Sequence, residues 1–323
     1  MLDKSKSAAG VHTSAVKQPA RNNRTLSLLQ QERAHLQQQI FTLQHPVLHP
    51  EQLYNRVIHG NMNDVCDLLP LHFVDLLILD PPYNMTKKFN GSTFTKSTHD
   101  KYASWFESWF VKVLPALKET ASIYVCADWH TSTAVFDILE KYTTVRNRIT
   151  FERDKGRGAY TNWKNCSEDI WFCTMGEQYT FNVDAVKVRK KVLASYRHHT
   201  GEPKDWKHEE DGKYRMTFPS NLWTDITIPF WSMPENTNHP TQKPEKLLAK
   251  LILASSNPGD VVLDPFLGSG TTAVTAKKLH RTFLGVEMDE EYCLYALKRL
   301  ASAEHDKTIQ GYENGIFLER NSL

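Results

Sequence analysis

The sequence predicts a doubly wound α/β fold with a mostly parallel sheet, and two segments carry this prediction. The apolar run Phe73–Leu79 ends in the rigid tetrapeptide Asp80-Pro81-Pro82-Tyr83. A second run, Asp260–Leu263, is followed by a glycine loop at residues 268–270 and a helical pattern over residues 271–279. Because open α/β sheets bind ligands at the carboxyl edge of their strands, both segments are expected to border one site.

The first segment has the chemistry needed to activate an exocyclic amino group of a nucleobase. The carboxylate of Asp80 can accept one N–H of that group and the carbonyl of Pro81 the other. Tyr83 can stack on a base that has been rotated out of a duplex, and the two prolines stiffen the loop. The alternative for this segment alone is a turn that ends a strand, in which Asp caps the turn and Pro interrupts the strand.

The second segment reads as strand, glycine loop and helix, followed by an acid. Glu287 stands nineteen residues after Gly268, and an acid at about this distance binds ribose hydroxyls in dinucleotide-type βαβ units. The loop lacks the full G-x-G-x-x-G pattern, and no lysine follows the glycines. This predicts a site for a nucleoside without a pyrophosphate, such as S-adenosylmethionine. A glycine turn in an ordinary α/β unit is the alternative.

With both segments present, the sequence resembles the amino-methylating DNA methyltransferases of bacterial modification systems, in the β-class order of their motifs. The resemblance spans roughly residues 55–300, with the catalytic motif N-terminal and the Phe-x-Gly-x-Gly motif C-terminal. Asp264 follows Asp80 by 184 residues. The hexapeptide His239-Pro240-Thr241-Gln242-Lys243-Pro244 resembles the family segment that lies against the methionine end of the cofactor. It also has the features of a helix start, and both interpretations can hold.

The resemblance assigns residues to two roles. It implies that the catalytic residues are Asp80, Pro81, Pro82 and Tyr83. It implies that S-adenosylmethionine is bound by Asn61, Asp80, His239, Thr241, Gln242, Lys243, Asp264, Pro265, Phe266, Gly268, Ser269, Gly270, Thr271, Thr272 and Glu287. Asn61 stands where the family commonly has Asp. No metal is expected, because the chemistry needs neither a metal nor a covalent nucleophile.

The implied activity is direct in-line transfer of the sulfonium methyl group to adenine N6 in double-stranded DNA, after base flipping. Positioning of donor and acceptor can supply about 7–11 kcal/mol. Cytosine-N4 enzymes more often begin the catalytic motif with Ser, so Asp80 favours adenine, with cytosine N4 as the alternative. An RNA or protein-glutamine methyltransferase is disfavoured by the motif order. A non-catalytic DNA-binding module would predict damaged motifs, and both are intact.

A basic, aromatic stretch is expected to contact DNA phosphates. Residues 185–215 contain nine Lys or Arg against five Asp or Glu, within a chain of net charge +2. The stretch shows little apolar periodicity, which predicts an irregular insertion with steeply salt-dependent phosphate binding. The candidate nucleic-acid-binding residues are Lys87, Lys88, Phe151, Arg189, Arg197, Lys204 and Arg215. The alternatives are core packing for Phe151 and a solvated charge run for the basic residues.

The pattern divides the chain into a polar extension (1–50), a catalytic half (51–174), a target-recognition insertion (175–237), a cofactor half (238–302) and a tail (303–323). Strands are predicted at residues 74–79, 123–125, 148–151, 170–173 and 261–263, and helices at 245–254 and 28–44. Residues 1–24 are expected to be disordered. Leu29, Leu36 and Leu43 repeat every seven residues, but two to three heptads are too few for a coiled coil, so packing on the domain's own surface is favoured over dimerisation.

Composition fits a soluble cytoplasmic protein, and the resemblance implies a bacterial enzyme that acts on the nucleoid. The 323 residues are 40% hydrophobic, which suffices for a substantial core. The sequence has no signal-peptide pattern and no apolar run near the ~18 residues of a membrane span, so no membrane partner is expected. Its five cysteines show no zinc spacing and are expected to be reduced. Double-stranded DNA is the expected partner, with a cognate restriction endonuclease and a second copy of the chain as further candidates.

Overall fold

The computed structural model describes residues 21–89, 92–153, 160–193, 195–210 and 212–318. Within these ranges the main sheet has eight strands. In spatial order they are β1 (Arg56–His59), β13 (Thr282–Glu287), β12 (Val261–Asp264), β2 (Val74–Leu79), β5 (Leu117–Ala127), β7 (Ser167–Thr174), β6 (Thr144–Glu152) and β11 (Leu222–Trp223).

The sheet is mostly parallel, as predicted. Among the eight strands only β7 runs against its neighbours, because it pairs antiparallel with both β5 and β6. All five predicted strands are present, and β5 is the one whose length differs most from the prediction. Its start at Leu117 was not predicted because the polar residues 118–120 interrupt the apolar pattern.

Helices cover both faces of the sheet, which is the doubly wound arrangement. One face carries α2 (Met62–Cys66), α3 (His99–Val113) and α4 (Ser132–Tyr142), and the other carries α1 (Gln30–Gln37), α5 (Glu245–Ser255), α6 (Thr271–Lys278) and α7 (Glu290–Ser302). Strand β2 divides its side chains accordingly: Leu77 and Leu79 face the first group, and Leu76 and Ile78 the second. Burying each such side chain contributes about 1.5–3 kcal/mol.

The N-terminal helix is shorter than the prediction of residues 28–44. It ends at Gln37 because the chain then becomes extended and pairs with the edge strand β1. The N–H of Phe41 donates to the carbonyl of Val57 at 3.0 Å, and the N–H of His59 donates to the carbonyl of Phe41 at 2.9 Å. The helix packs on α7, where Arg33 pairs with Glu291 at 2.6 Å. Packing on the domain's own surface was the favoured expectation.

The N-terminal segment that was expected to be disordered lies mostly outside the described residues, since the description begins at residue 21. The part of it that is described makes a contact with the domain. The backbone N–H of Arg24 donates to the carbonyl of Trp231 at 2.6 Å.

A second, five-stranded sheet corrects the expectation of an irregular insertion. It contains β8 (Val188–Lys191), β9 (Lys207–Glu209), β10 (Gly212–Thr217), β14 (Tyr312–Glu313) and β15 (Ile316–Phe317), in the order β14-β15-β8-β10-β9. Cross-strand pairs of long side chains, such as Arg189 with Met216, stabilise it without an apolar period. The C-terminal segment expected as a tail therefore contributes two strands, and β11 belongs to the main sheet instead.

A small hairpin follows the catalytic motif and consists of β3 (Lys87–Phe89) and β4 (Ser92–Phe94). The buried amide of Asn84 joins the two ends of this hairpin, because Asn84 accepts the N–H of Ser97 at 2.8 Å and donates to the carbonyl of Ser97 at 3.0 Å. In the described part of the chain, none of the helices has the length and apolar character needed to cross a membrane.

Candidate active site

The catalytic and glycine segments meet at the carboxyl edge of the sheet, as their positions after two strands predict. Asp80 follows β2, Asp264 ends β12 and Glu287 ends β13, and these three strands are neighbours. Parallel strands bring their carboxyl ends to the same edge, so the three carboxylates line one cavity of about 370 Å³.

Asp80 is bound by a lysine from the His239–Pro244 segment. The Nζ atom of Lys243 lies 2.7 Å from each carboxylate oxygen of Asp80 and 3.1 Å from the hydroxyl of Tyr83. It also lies 3.4 Å from Glu168. The sequence had placed Lys243 with the cofactor, whereas its charged end points at the catalytic motif.

Glu168 and Arg153 belong to this cluster and were missed from the sequence. Glu168 lies on β7 with a side chain only 4% exposed, and it pairs with Arg153 at 2.7 Å. The hydroxyl of Tyr83 donates to Glu168 at 3.1 Å. The sequence contained only a weak signal for Glu168. An acid whose side chain points into the core from a strand is unusual, but which residues of this strand point inward is known only once its register is known.

Burial and neighbouring charges fix the protonation of this cluster. Burial raises the pKa of Tyr83 well above its usual value, and the carboxylates of Asp80 and Glu168 raise it further, so the phenol stays neutral. Burial lowers the pKa of Lys243, but Asp80 and Glu168 outweigh it and hold that pKa above its ordinary value. Lys243 therefore remains a charged donor.

The loop after Asp80 is held from one side by helix α3. The hydroxyl of Tyr102, on the buried face of that helix, donates to the carbonyl of Pro82 at 3.0 Å. Both neighbouring prolines restrict the backbone, and the pairing of Asn84 with Ser97 fixes the next turn. The carboxylate of Asp80 is thus presented from a rigid loop.

The glycine loop has a backbone that favours glycine at two positions. Gly268 has φ 55° and Gly270 has φ 86°, both in the left-handed region. A Cβ atom on Gly270 would lie 2.6 Å from the Cβ of Ala296 on α7. Gly270 therefore serves the packing of the loop on α7, and it does not line the cavity although it was predicted among the cofactor residues.

The side chain of Asp264 forms hydrogen bonds with both ends of the glycine loop. Its carboxylate accepts the N–H of Phe266 at 2.9 Å and the hydroxyl of Thr272 at 2.5 Å. Burial raises the pKa of Asp264 to about 7. The side chain bonds the two ends of the loop together.

His239 lies against the glycine loop as a neutral ring. A Cβ atom on Gly268 would lie 3.0 Å from its Nε2 atom, and its ring packs edge-on to Tyr292 at 4.5 Å. Burial, aided by the charge of Lys243, lowers the pKa of His239 to about 3. Its Nδ1 atom and the hydroxyl of Ser269 are buried and have no hydrogen-bond partner among the described residues. Both residues line the cavity.

A buried arginine that was not predicted from the sequence holds the glycine loop from behind. Arg299, on α7 and 4% exposed, donates to the carbonyl of Ser269 and to the hydroxyl of Thr271, each at 2.9 Å. It also pairs with Glu245 at 2.9 Å, at the start of α5. This interaction joins the glycine loop to the segment that carries His239 and Lys243.

The other predicted cofactor residues line the same cavity, with two qualifications. The side chain of Asn61 accepts the N–H of Asn63 at 3.0 Å and caps α2. The amide of Gln242 accepts the N–H of Thr237 at 2.9 Å and donates to the carbonyl of Glu235 at 2.6 Å, so it fixes its own loop. The remaining lining residues from the predicted set are Pro81, Pro82, Thr241, Pro265, Phe266, Thr271 and Thr272.

The predicted DNA contacts near the cavity divide into three cases. Lys87 is half-buried and lines the cavity, and Lys88 is exposed on the same strand, β3. Phe151 is only 1% exposed and pairs across β6 and β11 with Trp223, which favours the alternative of core packing over a DNA contact. The two-residue period of β6 turns Ile149 and Phe151 into the core.

Three of the four candidates on the second sheet are paired within it. Arg189 lies 3.4 Å from the ring centre of Tyr214 and pairs with Glu209 at 2.5 Å. Arg197 lies over Trp206 at 4.9 Å, and its guanidinium donates to the carbonyl of Gly201 at 2.6 Å. Arg215 binds Asp205 at 3.2 Å, whereas Lys204 is exposed.

Comparison with known proteins gives a consistent result. The DNA methylase family of the N6/N4 class matches residues 74–298. The chain is 35% identical over 256 residues to the DNA adenine methyltransferase YhdJ of Escherichia coli K12, an alignment covering 77% of this chain and 83% of that protein. It is 32% identical over 250 residues to the type II methyltransferase M.HpaI of Haemophilus parainfluenzae, covering 76% and 74% respectively.

Solved structures share the fold. The cytosine-N4-specific PvuII DNA methyltransferase superposes with a TM-score of 0.57 at 18% identity, covering 83% of this chain and 95% of that one. The M1.HpyAVI complex with S-adenosylmethionine superposes with a TM-score of 0.52 at 22% identity, covering 76% and 98%. The predicted α/β methyltransferase fold is confirmed.

Proposed function

We propose that this chain, which belongs to the N6/N4 DNA methylase family, methylates the N6 amino group of adenine in double-stranded DNA. As a family member it is an amino-methylating DNA methyltransferase whose methyl donor is S-adenosylmethionine. The observation that carries the proposal is the position of Asp80 and of the glycine loop, which border the same cavity from neighbouring strands.

Asp80 is the proposed acceptor for the target amino group. The lone pair of an exocyclic amino nitrogen is delocalised into the base, and hydrogen bonds from its two N–H groups help to free it. The carboxylate of Asp80 would accept one of these bonds, and the carbonyl of Pro81 the other. When the nitrogen gains a methyl group it gives up one proton, and the carboxylate is positioned to receive it.

Tyr83 is the proposed platform for the flipped base. Its hydroxyl is held by Glu168 at 3.1 Å and by Lys243 at 3.1 Å, which fixes the ring beside Asp80. Stacking on an aromatic side chain returns about 1–3 kcal/mol per base, which offsets part of the few kcal/mol needed to unstack it.

The cavity fits a polar nucleoside cofactor. Its lining includes the carboxylate of Glu287, and also the Nδ1 atom of His239 and the hydroxyl of Ser269, neither of which has a hydrogen-bond partner in the described part of the chain. Glu287 would bind the ribose hydroxyls, and the loop from Gly268 to Thr272 would hold the remainder beside His239. Bound S-adenosylmethionine supplies a methyl group on a positively charged sulfur, which a neutral amino nitrogen can attack.

The rate enhancement would come mostly from positioning. A rigid Asp80 loop, held by Tyr102, and a rigid glycine loop, held by Arg299, fix the two halves of the reaction relative to each other. Such alignment can supply about 7–11 kcal/mol. No covalent nucleophile is required for a direct transfer.

The choice of adenine rests on two observations. Residue 80 is Asp, whereas the resemblance associates Ser with cytosine-N4 enzymes. The relative at 35% identity is named as an adenine methyltransferase. Cytosine N4 is the second candidate, because it presents a similar amino group to Asp80 and because the PvuII enzyme, which shares the fold, is cytosine-specific.

We assign DNA recognition to residues 175–237, which contain β8, β9 and β10. Their cationic side chains, such as Arg189 and Arg215, are paired with carboxylates, so DNA phosphates would compete for them. The exposed Lys88 and Lys204 would add to the phosphate contacts. Specific contacts to base edges would come from this same sheet.

The enzyme would act in a modification system in the bacterial cytoplasm. M.HpaI and the M.BglII enzyme of Bacillus subtilis, 31% identical over 295 residues, are named as type II methyltransferases. This role implies a companion endonuclease that cuts the same unmethylated site.

The deciding experiment is incubation of the purified protein with unmethylated DNA and labelled S-adenosylmethionine, followed by nucleoside analysis. Label in N6-methyladenine is expected. Label in N4-methylcytosine would replace adenine with the second candidate, and absence of label in DNA would refute the proposal. Mapping the methylated site on a plasmid then shows whether the protected sequence blocks cleavage by a restriction enzyme.

A further inference from the structure

Lys243 presents a charged donor to the one carboxylate that the proposed reaction needs. Its Nζ lies 2.7 Å from both oxygens of Asp80, and the side chain of Lys243 is 11% exposed. An ammonium group and a target amino group are both N–H donors, and a carboxylate without hydrogens can only accept. Lys243 therefore fills acceptor positions on Asp80 that the target base would use.

A second carboxylate, that of Glu168, lies close to the ammonium of Lys243. Glu168 lies 3.4 Å from the Nζ of Lys243, farther than Asp80 but within reach of a small rotation. Glu168 is held in place by Arg153 at 2.7 Å and by the hydroxyl of Tyr83 at 3.1 Å. Lysine suits such an exchange, because its ammonium is a point charge on a flexible stem with three rotatable donors.

The charges around Lys243 stay close together in either position. The carboxylates of Asp80 and Glu168 pair with the cations of Lys243 and Arg153, and Lys87 lies near the same cluster. If Lys243 moved fully onto Glu168, the four charges would stay together in the buried cluster. The vacated acceptor positions on Asp80 would be taken by the N–H groups of the entering base.

We infer, on the basis of the proposed function, that Lys243 is a positioning residue that occupies Asp80 until the target base enters, and then transfers its hydrogen bonds to Glu168. The ammonium acts as an internal substitute for the target amino group. Asp80 is thereby kept as an acceptor, and its partly buried carboxylate is not left without a donor between turnovers.

Other ionisable groups lie near the ammonium of Lys243, and their protonation must be considered when the pH dependence of kcat is interpreted. Tyr83 and Cys126 remain neutral because burial raises the pKa of each well above its usual value, and His239 remains neutral because burial lowers its pKa to about 3. Burial raises the pKa of Asp264 to about 7, and the nearby charge of Asp80 contributes to this shift, so each variant's profile is compared with that of the wild type. Among the residues that the structure describes, Lys87 and Arg153 are further charged groups near the cluster.

The first variant is Lys243→Met, with kcat and KM for DNA measured from about pH 6 to 9. Two carboxylates that share a site without enough positive charge take up a proton. We expect kcat to fall at least about tenfold near pH 7 and to recover as the pH rises, a rise that the wild type lacks. Lys118→Met is the matched control, since it removes a lysine–aspartate pair of 2.7 Å from the opposite end of β2.

The second variant, Glu168→Gln, removes the charged acceptor to which Lys243 would move. We expect kcat/KM for DNA to fall about tenfold with a pH profile like that of the wild type. Affinity for S-adenosylmethionine, measured by calorimetry without DNA, should be unchanged in both variants. This variant decides the matter if thermal melting shows that Lys243→Met does not fold.

Three results would overturn the inference. One is a pH profile of Lys243→Met parallel to that of the wild type, and another is an unchanged kcat/KM in Glu168→Gln. The third is weakened S-adenosylmethionine binding in Lys243→Met, which would make Lys243 a cofactor ligand. The wild-type reaction in the same series separates this inference from the proposed function. If the wild type methylates cytosine, adenine specificity is refuted, but the variants still test the role of Lys243. If the wild type methylates no DNA, both the proposed function and this inference are refuted.

Discussion

The carboxylate of Glu287, at the end of β13, accepts a hydrogen bond from the backbone N–H of Gly268 at 2.7 Å. Its second oxygen accepts the N–H of Asp289 at 2.8 Å. Burial raises the pKa of Glu287 above its ordinary value. The strand end and the glycine loop are therefore locked together, and the carboxylate is fixed at the wall of the cavity where a ribose hydroxyl would meet it.

Glu287→Gln is expected to weaken S-adenosylmethionine binding. The amide keeps the size of the side chain but loses the charge and one acceptor position. Hydrogen bonds to charged groups contribute about 1.5–3 kcal/mol, so Kd should rise about 10- to 100-fold. Isothermal titration calorimetry checks this, with Glu290→Gln at an exposed position of α7 as the control. An unchanged Kd would remove Glu287 from the cofactor site.

Gly270→Ala is expected to destabilise the protein more than Gly259→Ala. Both glycines have left-handed φ values, 86° and 90°, so both variants carry backbone strain of about 1–2 kcal/mol. Only at Gly270 would the new Cβ meet another atom, at 2.6 Å from the Cβ of Ala296. This overpacking adds about 1–3 kcal/mol. Urea unfolding of both variants measures the difference, and equal losses would contradict the packing role of Gly270.

Arg299→Met is expected to lower the free energy of unfolding by about 3–5 kcal/mol, because it leaves the buried Glu245 with less positive charge. It also removes the donor to the carbonyl of Ser269. Arg33→Met is the comparison, since that arginine pairs with Glu291 at 30% exposure and should cost less than about 1 kcal/mol. Denaturant midpoints decide the matter. Similar losses in the two variants would show that Arg299 is not structurally important.

The stability of the ligand-free enzyme should depend on the ionisation of Asp264. Its pKa in the folded state is raised to about 7 from an ordinary value of 3.8, because the group is buried. The folded state then binds the proton more tightly than the unfolded state, so this contribution to stability is fully present at about pH 4 and is lost as the pH rises through about 7. Asp264→Asn has no such proton.

The Tm of Asp264→Asn relative to the wild type should therefore increase from about pH 4 to about pH 8. Differential scanning fluorimetry across this range measures the difference. A constant difference would mean that the pKa of Asp264 is the same in the folded and unfolded states.

Asp80→Asn is expected to retain S-adenosylmethionine binding and to lose methyl transfer. The amide preserves the shape of the side chain, but its NH2 group cannot accept a bond from a target amino group or take its proton. A loss of about 10²- to 10⁴-fold in kcat is expected for removal of such a group. Single-turnover methylation measures it, with Asp100→Asn on the exposed start of α3 as the control. Turnover at the wild-type rate would refute the role of Asp80.

The two central motifs could be predicted because their signals are local. An apolar run followed by Asp80-Pro81-Pro82-Tyr83 specifies a strand and the rigid loop after it, and the glycines after Leu263 specify a loop that only glycine readily adopts. That both loops border one cavity followed from the rule that parallel strands share a carboxyl edge. The boundaries of α1 and β5 could not be predicted, since pairing with distant strands set them.

The contacts within the site could not be predicted because they join segments far apart in the chain. Lys243 and Asp80 are separated by 163 residues, and Arg299 and Glu245 by 54. Nothing in the local pattern distinguishes Glu168 from other acids, and nothing distinguishes Phe151 as a base contact from Phe151 as core. Their roles depend on which face of the strand each occupies.

The fold class, the order of the motifs and the chemistry at the edge of the sheet could be predicted from the sequence, because these follow from local periodicity, turn residues and functional groups. Which charges meet depends on the three-dimensional packing, which places Lys243 between Asp80 and Glu168, and Arg299 behind the glycine loop. Buried ionic contacts depend on distance and desolvation in three dimensions. Neither quantity is encoded in the spacing of residues along the chain.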